Sequence, residues 1–161
     1  LAILVLTRGS FVFGWAKPVP VDFGALHRPK RDMRWVAAAG PLANLAMLLG
    51  WAGLLKLAAS TGSAPGGFLV QMAQAGMITN VLFMLFNLLP ILPLDGGRVL
   101  CSLLPDRLAY SYARMERFGF PILFGLLLLS QLGFNVIGQI LTPLALWVLT
   151  LVALLFQLPD F

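Results

Sequence analysis

One short segment combines two prolines, a carboxylate, two glycines and an arginine directly after a long apolar run. Its carboxylate, Asp95, is the only acidic residue between Asp32 and Asp106. An ionisable side chain beside a membrane-length apolar segment is costly, so a functional role is the first hypothesis. Such a carboxylate can be a metal ligand, a proton carrier or the partner of a cation, and the residues leave all three open. The segment reads Asn87-Leu88-Leu89-Pro90-Ile91-Leu92-Pro93-Leu94-Asp95-Gly96-Gly97-Arg98.

The backbone around Asp95 is predicted to be irregular. Pro90 and Pro93 stop a helix and leave carbonyls without helical partners, which lipid tolerates only where the backbone lines a cavity or is packed in protein. Two glycines after the aspartate permit close backbone approach and unusual dihedral angles. The segment therefore predicts a polar site within the membrane region. A simpler alternative is an ion pair between Asp95 and Arg98 at a helix end.

The composition indicates a multi-pass membrane protein. Of the 161 residues, 60% are hydrophobic and 11% are charged, whereas soluble domains carry about 25% charged residues. The net charge of +5 does not indicate nucleic-acid binding, because nine of the eleven basic residues lie in two stretches that flank apolar runs. By the positive-inside rule, the basic stretches 15–35 and 96–118 are predicted to lie on the cytoplasmic side, with the lipid bilayer as partner.

The apolar runs predict about four complete transmembrane helices in a single transmembrane domain, residues 1–161. The first complete span is predicted over residues 35–55 and the second over 68–89. Residues 118–158 contain no charge, and a straight helix of that length would be about twice the thickness of the hydrocarbon core. The run is therefore predicted to turn at 133–135, between a short arm and a full-length one.

The first part of the chain is predicted to differ from these helices. Residues 1–6 are apolar but too short to cross a bilayer, which takes about 20 helical residues, so we expect the tail of an earlier span and a truncated N-terminus. Residues 11–21 are predicted to form a short interfacial or re-entrant strand, since prolines on both sides of Val19 exclude a helix. His27, among basic residues, is interpreted as a solvated loop residue. Cys101, the single cysteine, excludes an intrachain disulfide.

Small and polar residues on the two spans predict where helices meet. Asn80 and Asn87 are seven residues apart and share one face, which is expected to point at protein rather than lipid. Asn44, near the start of the first span, is interpreted as part of a packing seam in preference to a ligand contact. That seam is predicted from a stripe of small residues, which lets another helix approach closely: Ala39, Ala43, Ala46, Gly50 and Gly53.

Four segments of the chain, in this order, resemble those of a known family. They suit the compact branch, without PDZ or CBS domains, of the site-2 protease-type intramembrane zinc metalloproteases (the M50 family), and the resemblance covers residues 11 to 98. The segments are Phe13-Gly14-Trp15-Ala16-Lys17-Pro18-Val19-Pro20-Val21, Arg31-Asp32-Met33, Gly40-Pro41-x-x-Asn44 and Asn87-x-x-Pro90-x-x-x-Leu94-Asp95-Gly96-Gly97.

The resemblance implies a zinc site and a protease activity. Asp95 corresponds to the third zinc ligand of the family, whose other two ligands and general base come from a His-Glu-x-x-His motif on an earlier helix. The implied substrates are transmembrane segments of membrane proteins, cut near the cytoplasmic face. The strand near 11–21 is expected to pair with an unwound substrate helix. The residues expected to position the substrate are Asn44, Asn87, Pro90, Leu94, Gly96 and Gly97.

One departure from the family is large, because the sequence contains no His-Glu-x-x-His. Asp95 alone cannot build a catalytic zinc site of three protein ligands. We expect that the motif precedes Leu1, and zinc is expected only if that segment is present. The alternative is a non-catalytic structural subunit of a larger membrane complex, with neighbouring subunits as partners. A small ion or proton transporter is a third, weaker hypothesis, because no repeated half and no second intramembrane carboxylate is evident.

Overall fold

The computed structural model describes residues 29–62, 64 and 66–158, and this part of the chain is helical without strands. The all-helical class is confirmed for it. The predicted strand near 11–21, the apolar residues 1–6 and His27 lie outside the described residues. The helices are α1 (Pro29–Ser60), α2 (Phe68–Asn87), α3 (Asp95–Leu103), α4 (Asp106–Ala113), α5 (Glu116–Gln131) and α6 (Val136–Phe156).

Three of the described helices, α1, α2 and α6, are long and apolar enough to cross a membrane. Helix α5 has 16 residues, which makes it about 24 Å long and shorter than the hydrocarbon core of about 30 Å. The prediction of four complete spans is therefore not confirmed. What the sequence did predict is the shape of the final hairpin, with a short first arm and a full-length second arm.

The turn of this hairpin lies at the predicted residues, between the end of α5 and the start of α6. Gly133 has a φ of +94°, a left-handed conformation that glycine adopts without the steric cost of a Cβ. Asn135 then caps α6, because its side-chain oxygen accepts a hydrogen bond of 2.9 Å from the backbone N–H of Gly138. An asparagine at this position satisfies a donor that the first helical turn leaves free.

The three long helices share one core. Helix α2 packs between α1 and α6, and its residues Met77 and Val81 are completely buried, as is Leu48 of α1. Gly76 lies directly against the ring of Trp51, so the absence of a side chain lets α1 and α2 approach closely. The buried core residues are Leu48, Ala52, Leu55, Ala58, Val70, Ala73, Met77, Val81, Met84, Ala145, Leu149 and Val152.

The expected packing faces are met on α2 but not on α1. Asn80 is buried and its amide donates to the carbonyl of Gly76 at 2.8 Å, so the polar face of α2 points at protein as predicted. The small-residue stripe of α1 is largely exposed within the described part of the chain, and a Cβ at Gly50 would meet nothing within 4 Å. The buried face of α1 instead combines alanines and leucines at other positions, such as Leu48, Ala52 and Leu55.

The described parts of the two basic stretches meet at one end of the helices. Lys30, at the start of α1, donates to the carbonyl of Leu104 at 2.9 Å and forms an ion pair of 2.5 Å with Asp106 of α4. The hydrogen bond from Lys30, together with its positive charge, holds the pKa of the Asp106 carboxyl below its ordinary value. The described parts of the two basic stretches therefore lie on the same side of the molecule.

Candidate functional site

Asp95 is the first residue of helix α3, and the link 88–94 brings it back beside the end of α2. Helix α2 ends at Asn87, and the backbone N–H of Leu88 donates to the carbonyl of Met84 at 3.0 Å. The link contains a cis peptide bond between Leu92 and Pro93. Because the N-terminus of a helix carries a partial positive charge, a carboxylate in the first turn of α3 is favourably placed.

The two glycines after Asp95 let the link lie directly on the first turn of α3. A Cβ built on Gly96 would stand 2.6 Å from the carbonyl oxygen of Leu89, and a Cβ on Gly97 would stand 2.6 Å from the backbone nitrogen of Leu92. Both distances are shorter than van der Waals contact, and both neighbours are backbone atoms that cannot rotate away. The close backbone approach predicted from the sequence is therefore present.

Replacing Gly96 with alanine is expected to destabilise the protein. The new methyl group must displace the link at Leu88 and Leu89, and overpacking of this kind typically costs about 1–3 kcal/mol. The matched control is Gly125→Ala in α5, where a Cβ meets nothing within 4 Å. Thermal unfolding in detergent should show a lower midpoint for Gly96→Ala and an unchanged or slightly higher one for Gly125→Ala. Equal midpoints for the two variants would contradict this packing.

The other side of the link is held by residues that no sequence motif singles out. The hydroxyl of Tyr112 in α4 donates to the carbonyl of Pro90 at 2.8 Å. Burial, and to a smaller extent Cys101, raises the pKa of Tyr112 above its ordinary value, so the hydroxyl keeps its proton. Gly119 of α5 lies so close to the carbonyl of Leu92 that no Cβ fits between them. A glycine within an apolar helix signals such a contact, but the sequence does not name its partner.

Asp95 packs against Gly40 in the first half of helix α1. A Cβ on Gly40 would stand 3.4 Å from Cγ of Asp95 and would collide with its Oδ2 atom. The missing side chain of Gly40 therefore provides the space that the carboxylate occupies. Two segments far apart in the sequence, Gly40-Pro41-x-x-Asn44 and the aspartate motif, are brought together here. Asn44 lies one turn beyond Gly40 on the same face of α1 and is half-buried.

The pKa of Asp95 is shifted by its partial burial and by one neighbouring cation. Asp95 lies outside the three candidate spans. Burial raises the pKa of its carboxyl above the ordinary value, and the positive charge of Arg98 acts in the opposite direction. No salt bridge within 4.0 Å joins these two described side chains. The alternative of a simple helix-end ion pair is therefore not what positions the carboxylate.

The described residues offer one ligand to a metal rather than a complete set. No group of three histidine, cysteine, aspartate or glutamate side chains in this part of the chain could hold a metal ion. Zinc in a catalytic site is bound by three protein ligands. Asp95 has the chemistry of such a ligand, while Cys101 donates its thiol to the carbonyl of Ala109 at 3.7 Å. A complete zinc site would need ligands from outside the described residues.

The remaining predicted site residues surround the link on both sides of Asp95. Asn87 is the last residue of α2 and is half-buried, and Leu94 directly precedes α3 and is also half-buried. Pro90 is exposed, with its carbonyl bonded to Tyr112. Gly96 and Gly97 are buried under the link. The roles of these residues, and of Asn44, in positioning a substrate stay predictions.

Comparisons with known proteins agree on one family. The model of peptidase family M50 matches residues 50–130. The chain is 34% identical over 165 residues to the "Putative zinc metalloprotease YwhC" of Bacillus subtilis (strain 168), an alignment that covers 96% of this chain and 71% of that protein. No solved structure matches. The family match includes Asp95 and the link before it, and we conclude that this chain belongs to peptidase family M50.

Proposed function

We propose that this chain acts in an intramembrane zinc metalloendopeptidase of the site-2 protease type, which cuts transmembrane segments of membrane proteins. The family membership and the likeness to a protein named as a zinc metalloprotease support this proposal. So do the three helices with the length and composition to cross a membrane. The observation that carries it is the contact between the Asp95 carboxylate and Gly40, which combines two of the segments that resemble the family.

In this proposal Asp95 is one zinc ligand, and the other ligands come from residues that the structure does not describe. When bound, zinc supplies Lewis-acid chemistry and lowers the pKa of a bound water to about 7. The contribution of the described residues is to hold the carboxylate in one place. The first turn of α3 fixes its backbone, Gly40 leaves room for its oxygens, and Gly96 and Gly97 fasten the link that precedes it.

The irregular link is the part of this site best suited to a peptide substrate. A helical substrate hides its carbonyls in i to i−4 hydrogen bonds, so a peptide bond must leave the helix before it can be attacked. Asn44 and Asn87 carry amides that both donate and accept hydrogen bonds, and both are half-buried. We propose that these amides bind the opened backbone of the substrate, while Pro90 and Leu94 shape the link beside it.

We also propose that the end of the molecule with the basic residues faces the cytoplasm. Lys30 contacts Leu104 and Asp106 at that end, and an excess of lysine and arginine is typical of cytoplasmic loops. Helix α3 contains nine residues and is about 13 Å long, so Asp95 lies close to the same end. Cleavage is therefore expected near the cytoplasmic face of the substrate segment.

The proposal is tested by reconstituting the natural full-length protein in lipid vesicles with a peptide that spans the bilayer. We expect cleavage within the transmembrane segment, loss of cleavage after removal of zinc with a chelator, and recovery when zinc is returned. Mass spectrometry of the fragments gives the position of the cut. A protein that binds no zinc and cuts none of a panel of transmembrane peptides would instead support the structural-subunit alternative.

A further inference from the structure

Helix α3 is attached to α1 at both of its ends. At its N-terminus, Asp95 packs against Gly40. Near its C-terminus, the Nε of Arg34 donates to the hydroxyl of Ser102 at 3.3 Å, and Nη2 of the same side chain donates to the carbonyl of Ser102 at 3.4 Å. Residue numbers fall along α1 as they rise along α3, so the two helices run antiparallel.

The two attachments have matching lengths. Gly40 and Arg34 are six residues apart, which is about 9 Å along α1. Asp95 and Ser102 are seven residues apart, which is about 10 Å along α3. A slide of α3 by one residue would move its atoms by about 1.5 Å. The spacing of the Arg34 contact along α1 therefore matches that of the Asp95 contact, and Lys30, which donates to the carbonyl of Leu104 at 2.9 Å, holds the same end of α3.

The contact at Ser102 is suited to hold this register. Ser102 is only 8% exposed, and its own hydroxyl donates to the carbonyl of Val99 at 2.7 Å. A guanidinium group offers several donors in a rigid plane, so it can bind the hydroxyl and the carbonyl of one residue together. The last turn of a helix has free carbonyls and a partial negative charge, which further favours a cation there.

We propose that Arg34, through Ser102, is a positioning residue for the Asp95 carboxylate. Arg34 touches neither the carboxylate nor a substrate. It acts by keeping α3 in register with α1, so that the carboxylate stays in the space left by Gly40. The inference rests on the proposed function only in taking Asp95 as a zinc ligand.

The test compares Arg34→Gln and Arg34→Lys with Arg107→Gln in the natural full-length protein. Arg107 is exposed on α4, so its variant loses the same charge away from the contact with α3. The dissociation constant for zinc is measured by competition with a chelator, alongside kcat and KM for a transmembrane peptide. Loss of a residue that orients a metal ligand typically weakens metal binding about 10- to 100-fold, and we expect the low end for Arg34→Gln.

Further expectations separate positioning from general stability. For Arg34→Gln, kcat should fall while KM changes little, and the thermal unfolding midpoint should stay near that of Arg107→Gln. Arg34→Lys should recover part of the zinc affinity, since lysine keeps the charge but not the planar pair of donors. If Arg34→Gln does not fold, zinc affinity is measured in Ser102→Ala instead. This variant lacks the hydroxyl, one of the two acceptors for Arg34, and should also bind zinc more weakly.

The inference is overturned if Arg34→Gln, or Ser102→Ala in its place, binds zinc as tightly as Arg107→Gln. It is also overturned if Arg34→Lys loses as much zinc affinity as Arg34→Gln and both variants have a lower unfolding midpoint than Arg107→Gln. That result would indicate a general loss of stability. Asp95→Asn separates this failure from failure of the proposed function. Normal zinc affinity in Asp95→Asn would exclude Asp95 as a zinc ligand. Weak zinc affinity in Asp95→Asn together with normal zinc affinity in Arg34→Gln would exclude only the positioning role of Arg34.

Discussion

Replacing Asp95 with asparagine in the natural full-length protein is expected to abolish proteolysis and to leave the fold intact. Asparagine has the same shape but no charge, so it is a poor zinc ligand. Loss of an outer-shell partner already costs roughly 10- to 100-fold in activity, and loss of the ligand itself should therefore cost at least about 100-fold. The stability change should be small, since an acid at a helix N-terminus contributes about 0.3–1 kcal/mol. Cleavage rates and thermal unfolding measure the two effects separately.

The matched control for this variant is Glu116→Gln. Glu116 is the first residue of α5, as Asp95 is the first residue of α3, and it is exposed. The same chemical change there removes the same favourable interaction with a helix N-terminus, without touching the link or α1. We expect normal cleavage by Glu116→Gln. Cleavage by Asp95→Asn at the rate of this control would exclude Asp95 as a zinc ligand.

Replacing Gly40 with alanine is expected to reduce proteolysis strongly without loss of stability. The added methyl group occupies the space of the Asp95 carboxylate, and that carboxylate can rotate away more easily than a backbone atom could. A displacement of about 1 Å at a catalytic group can reduce the rate as much as about 100-fold. Alanine is also favoured over glycine within a helix by about 1 kcal/mol, which offsets the cost of moving Asp95.

Gly50→Ala is the control for Gly40→Ala because both residues lie within α1. A Cβ at Gly50 meets nothing within 4 Å, so this variant gains the same helix propensity and should cleave normally. The expected pattern is two variants with similar unfolding midpoints and very different cleavage rates. Normal cleavage by Gly40→Ala would show that the carboxylate does not need the space beside α1.

The features that could be predicted from the sequence depend on local chemistry. Two prolines and two glycines around Asp95 indicated a broken helix with close backbone contact, and the backbone there is packed in that way. The turn at 133–135 followed from a charge-free run too long for one span, and Gly133 and Asn135 supply the conformation and the cap. In each case the residues that determine the structure lie within a few positions of it.

The features that could not be predicted depend on how helices rotate and slide against one another. Gly40 was recognised only as part of a motif, and nothing in the sequence indicates that it faces Asp95. The small-residue stripe was assigned to a packing seam, yet most of it is exposed, and alanines and leucines at other positions make the buried face of α1. The bond from Tyr112 to Pro90 joins two segments through one hydroxyl group. Contacts of this kind are fixed by the whole core rather than by local spacing.

The role of Asp95 as a zinc ligand is tested most directly by the zinc content and zinc affinity of the purified, natural full-length protein with and without the Asp95 carboxylate. We expect about one zinc per wild-type protein and binding weakened at least about 100-fold in Asp95→Asn, while Glu116→Gln should bind zinc normally. Equal zinc binding by the wild type and Asp95→Asn would contradict this role. Absence of zinc from the wild-type protein would contradict it as well.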